Sequence, residues 1–391
     1  MNKSVVITSA IRSAIGSLGK SLKNTPSHEL GSLVIKENIR ESKLKGEEVD
    51  EIIMGQVLTG GLGQNPARQA AIKAGIPKET PAYLVNQVCG SGIRSVASGF
   101  QSIKSGDSKI LIAGGQENMS LAPHVVHVRD SKKLGDISMT DSMIKDGLWD
   151  AFYDYHMGMT AENVATKFQV TRQDQDKFAL DSQEKALKAQ KEKKFNKEIV
   201  NLKIKSKKAE VDFNKDEHPR EGINLDGLSR LKPVFKKDGT VTAGNSSGIN
   251  DGAAALTLMT SEEAEKRNLK KLVSIKSWAS CGVDPSIMGT GPIPSSKKAL
   301  DLAGWNIEDV DLFEINEAFA SQSIAVQKTL SIPKEKLNVN GGAIALGHPI
   351  GASGTRILVT LIHEMIKRDV KKGLASLCIG GGMGIAMCVE R

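Results

Sequence analysis

The sequence predicts an α/β fold made of two similar halves with a long segment inserted between them. Short apolar runs typical of buried strands alternate with amphipathic stretches at helical spacing, which is the pattern of an α/β protein. Three short stretches near one end recur in the same order near the other end, and the chain between them is polar and lysine-rich. These observations predict an N-terminal half (1–118 and 249–269), a loop subdomain (119–248) and a C-terminal half (270–391).

Individual strands and helices follow from local periodicity. Residues 82–88 are rich in β-forming side chains and predict a strand, and residues 91–103 place their apolar side chains on one helical face. A second helical stripe runs over 358–365. Two short apolar runs, 110–113 and 376–379, are typical of buried strands.

The repeat supports duplication because its parts share features and order. The features are an acidic turn entering a strand, an Asn before a glycine-rich turn and an amphipathic helix, and a strand running into glycines. The matched pairs are 48–53 with 309–314, 86–92 with 340–354, and 112–115 with 378–381. One such match arises readily by chance, but three in one order favour a duplicated domain.

The inserted segment differs in composition from the halves. A polar, lysine-rich helix is expected over 171–194, followed by loops around His218–Gly222. Long insertions in compact folds are usually functional, so this one is expected to be a lid or substrate-binding subdomain. The lysine run 185–208 contains one aromatic, Phe195, and no nucleic-acid recognition motif, which favours a solvated helix face followed by an exposed strand.

Charge and composition exclude several classes of protein. The net charge of +8 favours an anionic partner, and a small phosphate-bearing molecule suits it as well as nucleic acid does. No apolar run approaches the roughly 18 residues that cross a bilayer. The N-terminus lacks signal or transit features, and the C-terminus, Val389-Glu390-Arg391, is not a peroxisomal signal. We therefore expect a cytoplasmic protein without nucleic-acid or membrane partners.

The cysteines are expected to be free thiols. Cys89, Cys281, Cys378 and Cys388 are too few and too scattered for a disulfide framework, and they lack the paired spacing of a zinc site. A free cysteine is usually a small buried hydrophobe, so any chemical role needs a special context. No bound metal is expected.

Cys89 has such a context, in Asn86-Gln87-Val88-Cys89-Gly90-Ser91-Gly92. It lies where a strand should meet a helix, so unpaired N–H groups and the helix dipole surround it. This environment is expected to lower the pKa of the thiol and to supply an oxyanion hole for attack on a carbonyl group. Glycines beside it allow a substrate to approach closely.

A nucleophile requires a base, and the C-terminal half offers one. His348 lies in the glycine-rich stretch 340–354, directly before a proline that restricts its backbone. Cys378 ends a predicted buried strand before three glycines, and Asn316 follows another apolar run. Two thiols and a histidine converging at strand ends suggest acyl transfer coupled to a second proton abstraction.

Taken together, these motifs resemble the thiolase family. They are Cys89 within Asn-Gln-Val-Cys-Gly-Ser-Gly, the Asn-Glu-Ala-Phe of 316–319, Gly347-His348-Pro349 and the Cys-Ile-Gly-Gly-Gly of 378–382. The resemblance covers essentially the whole chain. It implies a duplicated fold with mixed sheets and helices in layers. Residues 156–163 look like the acyl-pocket loop of the short-chain, biosynthetic-type acetoacetyl-CoA thiolases.

The resemblance implies a role for each catalytic residue. Cys89 is the acylated nucleophile and His348 its activating base. Cys378 removes the α-proton of a second acetyl-CoA, or protonates the leaving enolate in the reverse direction. Asn316 holds a water that stabilises the enolate oxygen, and the N–H groups of Cys89 and Gly380 stabilise the tetrahedral oxyanion.

Substrates and assembly are also implied by the resemblance. Acetyl-CoA, acetoacetyl-CoA and CoA are substrates or products, no cofactor is needed, and a homodimer or homotetramer is expected. The implied contacts are Leu148, His156, Met157, Arg220, Phe235, Ala243, Ser247, Met288, Ala318 and Phe319. Gly227 stands where many relatives have Ser, which leaves one polar contact to CoA in doubt.

Several rival interpretations have specific discriminating features. A β-ketoacyl synthase uses Cys with two histidines, or with His and Asn, whereas a cysteine occupies the last catalytic position here. A dinucleotide-dependent oxidoreductase is disfavoured because no strand is followed by Gly-x-Gly-x-x-Gly with a later acidic residue. A catalytically inactive CoA-binding protein would bind CoA without turnover. A degradative 3-ketoacyl-CoA thiolase would accept longer acyl chains.

Overall fold

A computed structural model of the chain describes residues 4–129, 134–205 and 210–391. The first part contains β1 (Val5–Ser13), β2 (Gly16–Ser17), α1 (Ser27–Glu41), β3 (Glu51–Gly55), α2 (Pro66–Lys73), β4 (Ala82–Val85), α3 (Ser91–Ser105) and β5 (Ile110–Asn118). The central part contains β6 (His124–Val125), β7 (Thr140–Asp141), β8 (Trp149–Asp150), β9 (Tyr155–His156), α4 (Met157–Lys167), α5 (Arg172–Lys191), β10 (Ile199–Val200), β11 (Leu202–Lys205), β12 (Glu210–Phe213) and α6 (Leu225–Ser229). The last part contains β13 (Asn250–Thr260), α7 (Ser261–Lys266), β14 (Val273–Gly282), α8 (Pro292–Ala303), β15 (Leu312–Ile315), α9 (Ala320–Thr329), α10 (Ala343–Leu346), α11 (Ser353–Arg368), β16 (Lys372–Ile379) and β17 (Met383–Glu390).

The strand pairing confirms the predicted duplication. The long sheet has the order β15-β16-β17-β14-β1-β13-β5-β3-β4, and the halves meet where β1 pairs antiparallel with β14. Outward from this seam, each half continues through two antiparallel pairings and then a parallel one, ending at β3 in one half and β15 in the other. Beyond them, β4 pairs parallel with β3, and Leu337 makes a parallel bridge to Phe313 of β15.

An aspartate enters the sheet in the same way in both halves. Asp50 Oδ2 accepts the backbone N–H groups of 109 and 110 at 2.7 and 2.9 Å. Asp311 Oδ2 accepts those of 371 and 372 at 2.9 and 2.8 Å. Each carboxylate therefore fixes the start of the neighbouring strand, β5 or β16. Because Asp50 and Asp311 make the same pair of hydrogen bonds, the acidic turns of 48–53 and 309–314 are similar in sequence.

One of the three repeat matches is wrong in register. Glu51 and Leu312 are equivalent, because each directly follows the repeated aspartate. Glu51 pairs with Leu111, and Leu312 pairs with Gly373. Residues 112–115 therefore correspond to 374–377, four positions before the predicted partner. The two glycine pairs serve different purposes. Glycines 114 and 115 lie inside β5 where neighbouring backbone approaches closely, whereas 380–382 form the turn between β16 and β17.

The equivalent helices α3 and α11 form the central layer. Their predicted apolar stripes are confirmed: both helices bury those side chains in one core together with the inner face of both half-sheets. The helices cross at glycines, because a Cβ on Gly92 or Gly354 would overlap the opposing backbone. Thr355 Oγ1 donates to Gly92 O at 2.9 Å at this crossing.

Further helices cover the outer faces. Helices α1 and α2 pack on the N-terminal half-sheet, and α8 and α9 pack on the C-terminal one. Alternate side chains of β1 show the two faces, since Val5 and Ile7 join the central core while Val6 joins the outer one. The predicted layers of mixed sheet and helix are therefore present.

The longest helix of the central part, α5, packs against α6 and against α9 and α10 of the last part. Thr171 caps it by accepting from Asp174 N at 3.1 Å, and Asp174 accepts from Thr171 N in return. Phe195, the aromatic of the lysine-rich run, is buried beneath Arg12 and takes no part in the surface. Residues 206–208 of that run lie outside the described ranges. No helix within those ranges is long and apolar enough to cross a membrane.

Candidate active site

Cys89 lies in a strained turn between β4 and α3. The strand ends at Val85, earlier than the predicted 88, and the remaining residues form the turn. Val88 has a φ of 46°, a left-handed conformation that a β-branched residue rarely adopts. Two N–H groups interact with the Cys89 sulfur: its own, and that of Gly380 in the turn between β16 and β17. These are the donors that the resemblance assigned to the oxyanion.

Burial, however, dominates the chemistry of the resting thiol. The surrounding protein raises the pKa of Cys89 to about 11, and the two N–H groups only partly oppose this effect. Glu117 adds a smaller increase through its charge. The expected lowering of the Cys89 pKa by the helix terminus is therefore wrong, because desolvation outweighs two amide donors. The nucleophile rests as a thiol and needs a base.

His348 is held as a base in one tautomer. Its Nδ1 lies 2.5 Å from Ser353 Oγ, and the Ser353 hydroxyl donates its hydrogen to Pro349 O at 2.9 Å. Since that hydrogen is already used, Ser353 Oγ accepts from His348 Nδ1–H. The unprotonated Nε2 is left to act on the substrate side. The backbone N–H of His348 donates to Asn250 Oδ1 at 2.9 Å, which anchors the loop.

The imidazole is neutral in this environment. Burial, and to a lesser extent the positive charge of Arg356, lowers the pKa of His348 to about 3. A neutral histidine can accept the Cys89 proton at the moment of attack. The pair is therefore a thiol and an imidazole at rest, and not a preformed thiolate–imidazolium pair.

Cys378 and Asn316 end two parallel neighbours, β16 and β15. Asn316 N donates to Ser376 O at 2.9 Å, which continues the pairing to the strand ends. Cys378 is buried, and burial first and Cys89 second raise its pKa far above that of a free thiol. Among the described residues, neither polar atom of the buried Asn316 side chain has a protein partner. Such a group suits a bound water.

A single cavity of about 640 Å³ brings most predicted site residues together. Cys89, His348, Cys378 and Gly380 all line it. Asn316 is buried and is not among the residues that line the cavity. The predicted contact residues that line it are Leu148, His156, Met157, Arg220, Phe235, Ala243, Ser247, Met288, Ala318 and Phe319. Their individual roles stay predictions.

Each thiol has its own apolar wall. Met157, Met288 and Phe319 are buried beside Cys378. Cys89 packs on a second cluster formed by Val57, Leu58, Met119 and Ile350. The His156 and Phe235 rings stack at a centroid distance of 4.6 Å beside the first wall, and both are partly exposed. The cavity is therefore apolar around the reacting groups.

The outer rim of the cavity carries exposed positive charge. Lys20 and Arg220 are exposed there and suit an anionic ligand. Burial, with Arg220 as a second cause, lowers the pKa of the neighbouring His218 to about 4. Gly227 lies apart from the lining, in α6, where its N–H donates to Asn224 Oδ1 at 2.9 Å.

The sequence interpretation missed residues that act through shape or support. Met119 and Ile350 line the cavity beside Cys89; Met119 belongs to no predicted motif, and Ile350 lies in the stretch 340–354 but was given no role. Ser353 and Asn250 orient His348 through the hydrogen bonds described above. The position of Ser353 five residues after His348, at the start of a helix, is the one signal that pointed to it.

The described residues contain no group of His, Cys, Asp or Glu side chains placed to hold a metal ion. All four cysteines, each within the described ranges, are free.

Comparison with known proteins gives full-length matches. The family models described as "Thiolase, N-terminal domain" and "Thiolase, C-terminal domain" match residues 5–262 and 269–391. An acetyl-CoA acetyltransferase of Rhizobium meliloti (strain 1021) is 58% identical over 390 residues, 100% of this chain and 99% of the relative. The Bacillus anthracis acetyl-CoA acetyltransferase structure has a TM-score of 0.97 at 44% identity and covers 100% of both chains. Human mitochondrial 3-ketoacyl-CoA thiolase also has a TM-score of 0.97, at 42% identity over 99% of both chains.

Proposed function

The chain belongs to the thiolase family, and we propose that it is an acetyl-CoA acetyltransferase. It joins two acetyl-CoA molecules into acetoacetyl-CoA and CoA, and it runs the reverse cleavage. The observation that carries this proposal is the cavity in which two thiols and a neutral imidazole converge, one thiol facing two backbone N–H groups. The name of the full-length relative at 58% identity supports the choice of substrate.

Acetyl transfer to the enzyme is the first step. The Cys89 sulfur attacks the thioester carbonyl while its proton passes to His348 Nε2. The N–H groups of Cys89 and Gly380 stabilise the oxyanion, as their contact with the sulfur supports. Collapse of the intermediate breaks the carbon–sulfur bond to CoA, which leaves with the proton from His348. An acetyl thioester of Cys89 remains.

Carbon–carbon bond formation is the second step. The Cys378 thiol passes its proton to His348 Nε2, and the resulting Cys378 thiolate removes an α-proton from a second acetyl-CoA. The Nε2–H of His348 and a water on Asn316 stabilise the enolate oxygen. The enolate carbon attacks the acetyl group on Cys89, and the departing Cys89 thiolate regains the proton from His348. The raised pKa of Cys378 makes its thiolate a strong base and keeps it protonated as the donor in the cleavage direction.

The test is an assay of acetoacetyl-CoA cleavage by free CoA. The expected result is two acetyl-CoA per acetoacetyl-CoA consumed, together with a mass increase of one acetyl group on the intact protein. Binding of CoA without either result would indicate an inactive CoA-binding protein.

Met157→Gly is expected to relax a preference for short acyl chains. Met157 and Met288 are buried beside Cys378 and close the acyl end of the cavity, although a buried methionine is also common core filler. Each methylene that does not fit costs about 1–3 kcal/mol of discrimination. The wild-type protein should therefore prefer acetoacetyl-CoA strongly over 3-ketohexanoyl-CoA, and the variant should narrow the ratio of kcat/KM values.

Phe235→Leu is a suitable control for this substitution. Phe235 lies on the same wall but nearer the opening, where it stacks on His156. Its loss should weaken binding of all thioesters without changing the chain-length ratio. Comparable wild-type efficiency on 3-ketodecanoyl-CoA would instead place the protein with the degradative thiolases.

The proposal includes a homodimer or homotetramer in the cytoplasm. Strand β4 ends the sheet order, with Tyr83 exposed on it. Exposed apolar side chains also cluster around β6 and β7, and they include Val128, Leu134, Ile137 and Met139. Both features suit contact with further copies of the chain. Two thiols that must stay reduced suit a reducing compartment. Light scattering on the purified protein distinguishes dimer from tetramer.

A further inference from the structure

Glu117 binds three backbone N–H groups from two separate loops. It is fully buried at the end of β5. Its Oε2 accepts from Val57 N at 2.9 Å and from Gly351 N at 3.0 Å, and its Oε1 accepts from Leu58 N at 3.2 Å. Val57 and Leu58 follow β3 in the N-terminal half, whereas Gly351 belongs to the C-terminal half. One carboxylate therefore ties the two halves together.

The loops that it joins are the two sides of the reaction site. Gly351 is three residues after His348, in the turn that leads to α11. Val57 and Leu58 belong to the apolar cluster on which Cys89 packs. Through these contacts, Glu117 fixes the loop of the base relative to the wall beside the nucleophile.

The backbone segments are packed so closely here that a small displacement of one segment must displace its neighbours. A Cβ atom on Gly115 would overlap Gly351 O, and one on Gly55 would lie 2.8 Å from the same atom. A Cβ on Gly351 would lie 2.6 Å from Glu117 Oε2 and 2.7 Å from Gln56 Cα. Three glycines therefore let the His348 loop sit directly on the ends of β3 and β5.

Three donors only partly offset the cost of burying the Glu117 side chain. Burial raises the pKa of Glu117 to about 8, and the N–H groups of Val57, Leu58 and Gly351 oppose this increase. Within the described part of the chain, Glu117 has no ion-pair partner. Glu117 lies between the His348 loop and the wall beside Cys89, so its hydrogen bonds link these two parts of the site.

We propose that Glu117 is a positioning residue that holds the His348 loop in register with Cys89. The expected effect of Glu117 on catalysis rests on the proposed function. Glu117 touches neither substrate nor the reacting atoms; it acts by setting where His348 Nε2 lies relative to the thiol. Loss of its carboxylate should therefore impair the chemical step more than substrate binding.

Glu162 offers a matched comparison, because it is a second buried carboxylate that binds a loop. It accepts from Thr240 N, Thr240 Oγ1 and Val241 N at 2.8 to 3.0 Å. That loop leads to Ala243 and Ser247 in the cavity wall, and among the described residues the hydrogen bonds of the Glu162 carboxylate reach only residues 240 and 241, not the His348 loop. The two glutamates thus bind backbone in the same manner, but of the two only Glu117 contacts the His348 loop directly.

The experiment compares Glu117→Gln with Glu162→Gln in acetoacetyl-CoA cleavage. The amide keeps the shape of Glu117 but presents N–H to at least one backbone donor. Displacements of about 1 Å can cost roughly a hundredfold in rate, so kcat of Glu117→Gln should fall by about that factor with little change in KM. Glu162→Gln should chiefly raise KM. Wild-type kcat in Glu117→Gln, or a change confined to KM, overturns the proposal.

Alkylation of Cys89 by iodoacetamide provides a second measurement that needs no substrate. Displacement of His348 should slow the reaction in Glu117→Gln, because the base no longer assists loss of the thiol proton. Burial is the largest cause of the raised pKa of Cys89, and the charge of Glu117 is a smaller one. At a pH above about 8, where Glu117 is ionised, an electrostatic role without positioning therefore predicts faster alkylation in Glu117→Gln. Slower alkylation supports the proposal, and faster alkylation overturns it. If the wild-type protein fails to cleave acetoacetyl-CoA, the proposed function fails while this measurement still decides the inference.

Hydrogen exchange of the wild-type protein avoids any question of folding in a variant. The N–H groups of Val57, Leu58 and Gly351 lie outside the strands and helices, yet they are buried and bound. Peptides spanning 56–59 and 349–352 should exchange as slowly as those from β5. Exchange as fast as in the exposed stretch 134–139 would refute the carboxylate contacts.

Discussion

Cys89→Ala is expected to lose both acetylation and turnover. Incubation with acetyl-CoA should add one acetyl group to the wild-type protein, located on Cys89 by peptide mass spectrometry, and none to the variant. Turnover should fall by a factor on the order of 10⁶, as when a nucleophile is removed from a unit of catalytic groups. The physical reason is that the two N–H groups of the oxyanion site face this sulfur.

His348→Ala should lower turnover by a comparable factor, and the variant with both Cys89→Ala and His348→Ala should be little slower than either single variant. Nucleophile and base act as a unit, because a thiol with a pKa near 11 reacts slowly unless the neutral imidazole takes its proton. Cys281→Ala is the control, since Cys281 is a free thiol on β14 outside the cavity lining. An active, acetylated Cys89→Ala protein would contradict the mechanism.

Much of the fold was predictable because its signals are local. Helical stripes such as 91–103 and acidic turns such as 48–53 are read within a few residues, and the structure confirms them as α3 and the entry to β3. The duplication followed from the order of such signals. The register error at 112–115 arose because glycines that allow close packing within a strand look identical, in sequence, to glycines of a turn.

The convergence of Cys89, His348 and Cys378 on one cavity was likewise predictable, but the protonation of the Cys89 thiol was not. Cys89 and His348 are recognisable from their neighbours in sequence. The pKa of Cys89 depends instead on how completely other elements surround the thiol, and local pattern suggested the opposite direction. In this site desolvation outweighs the helix terminus.

Supporting residues were missed because their contacts are distant in sequence. Glu117 and Gly351 are separated by 234 positions, and Asn250 lies 98 positions from His348. A glutamate in an apolar strand and an asparagine at a strand start have no distinctive local pattern. Their effect on the reaction appears only when the two halves are packed together.

Cys378→Ser should separate the two chemical steps. The variant should still accept an acetyl group on Cys89, because that step needs Cys89, His348 and the two N–H donors. Its rate of acetoacetyl-CoA cleavage or formation should fall by a factor of roughly 10²–10⁴, the usual contribution of a positioned acid or base. Exchange of the acetyl-CoA α-hydrogens with deuterated solvent, followed by mass spectrometry, measures the lost step directly.

Cys388→Ser is the control that distinguishes chemistry from packing. Cys388 is also a buried strand cysteine, in β17 beside β16, but it faces the outer core and lies away from the cavity. A hydroxyl there should lower stability without slowing α-hydrogen exchange. Normal α-hydrogen exchange in Cys378→Ser would mean that Cys378 only packs in its strand. Loss of exchange with retained acetylation would identify Cys378 as the base that removes the α-proton. Its place in the same cavity as Cys89 supports the second outcome.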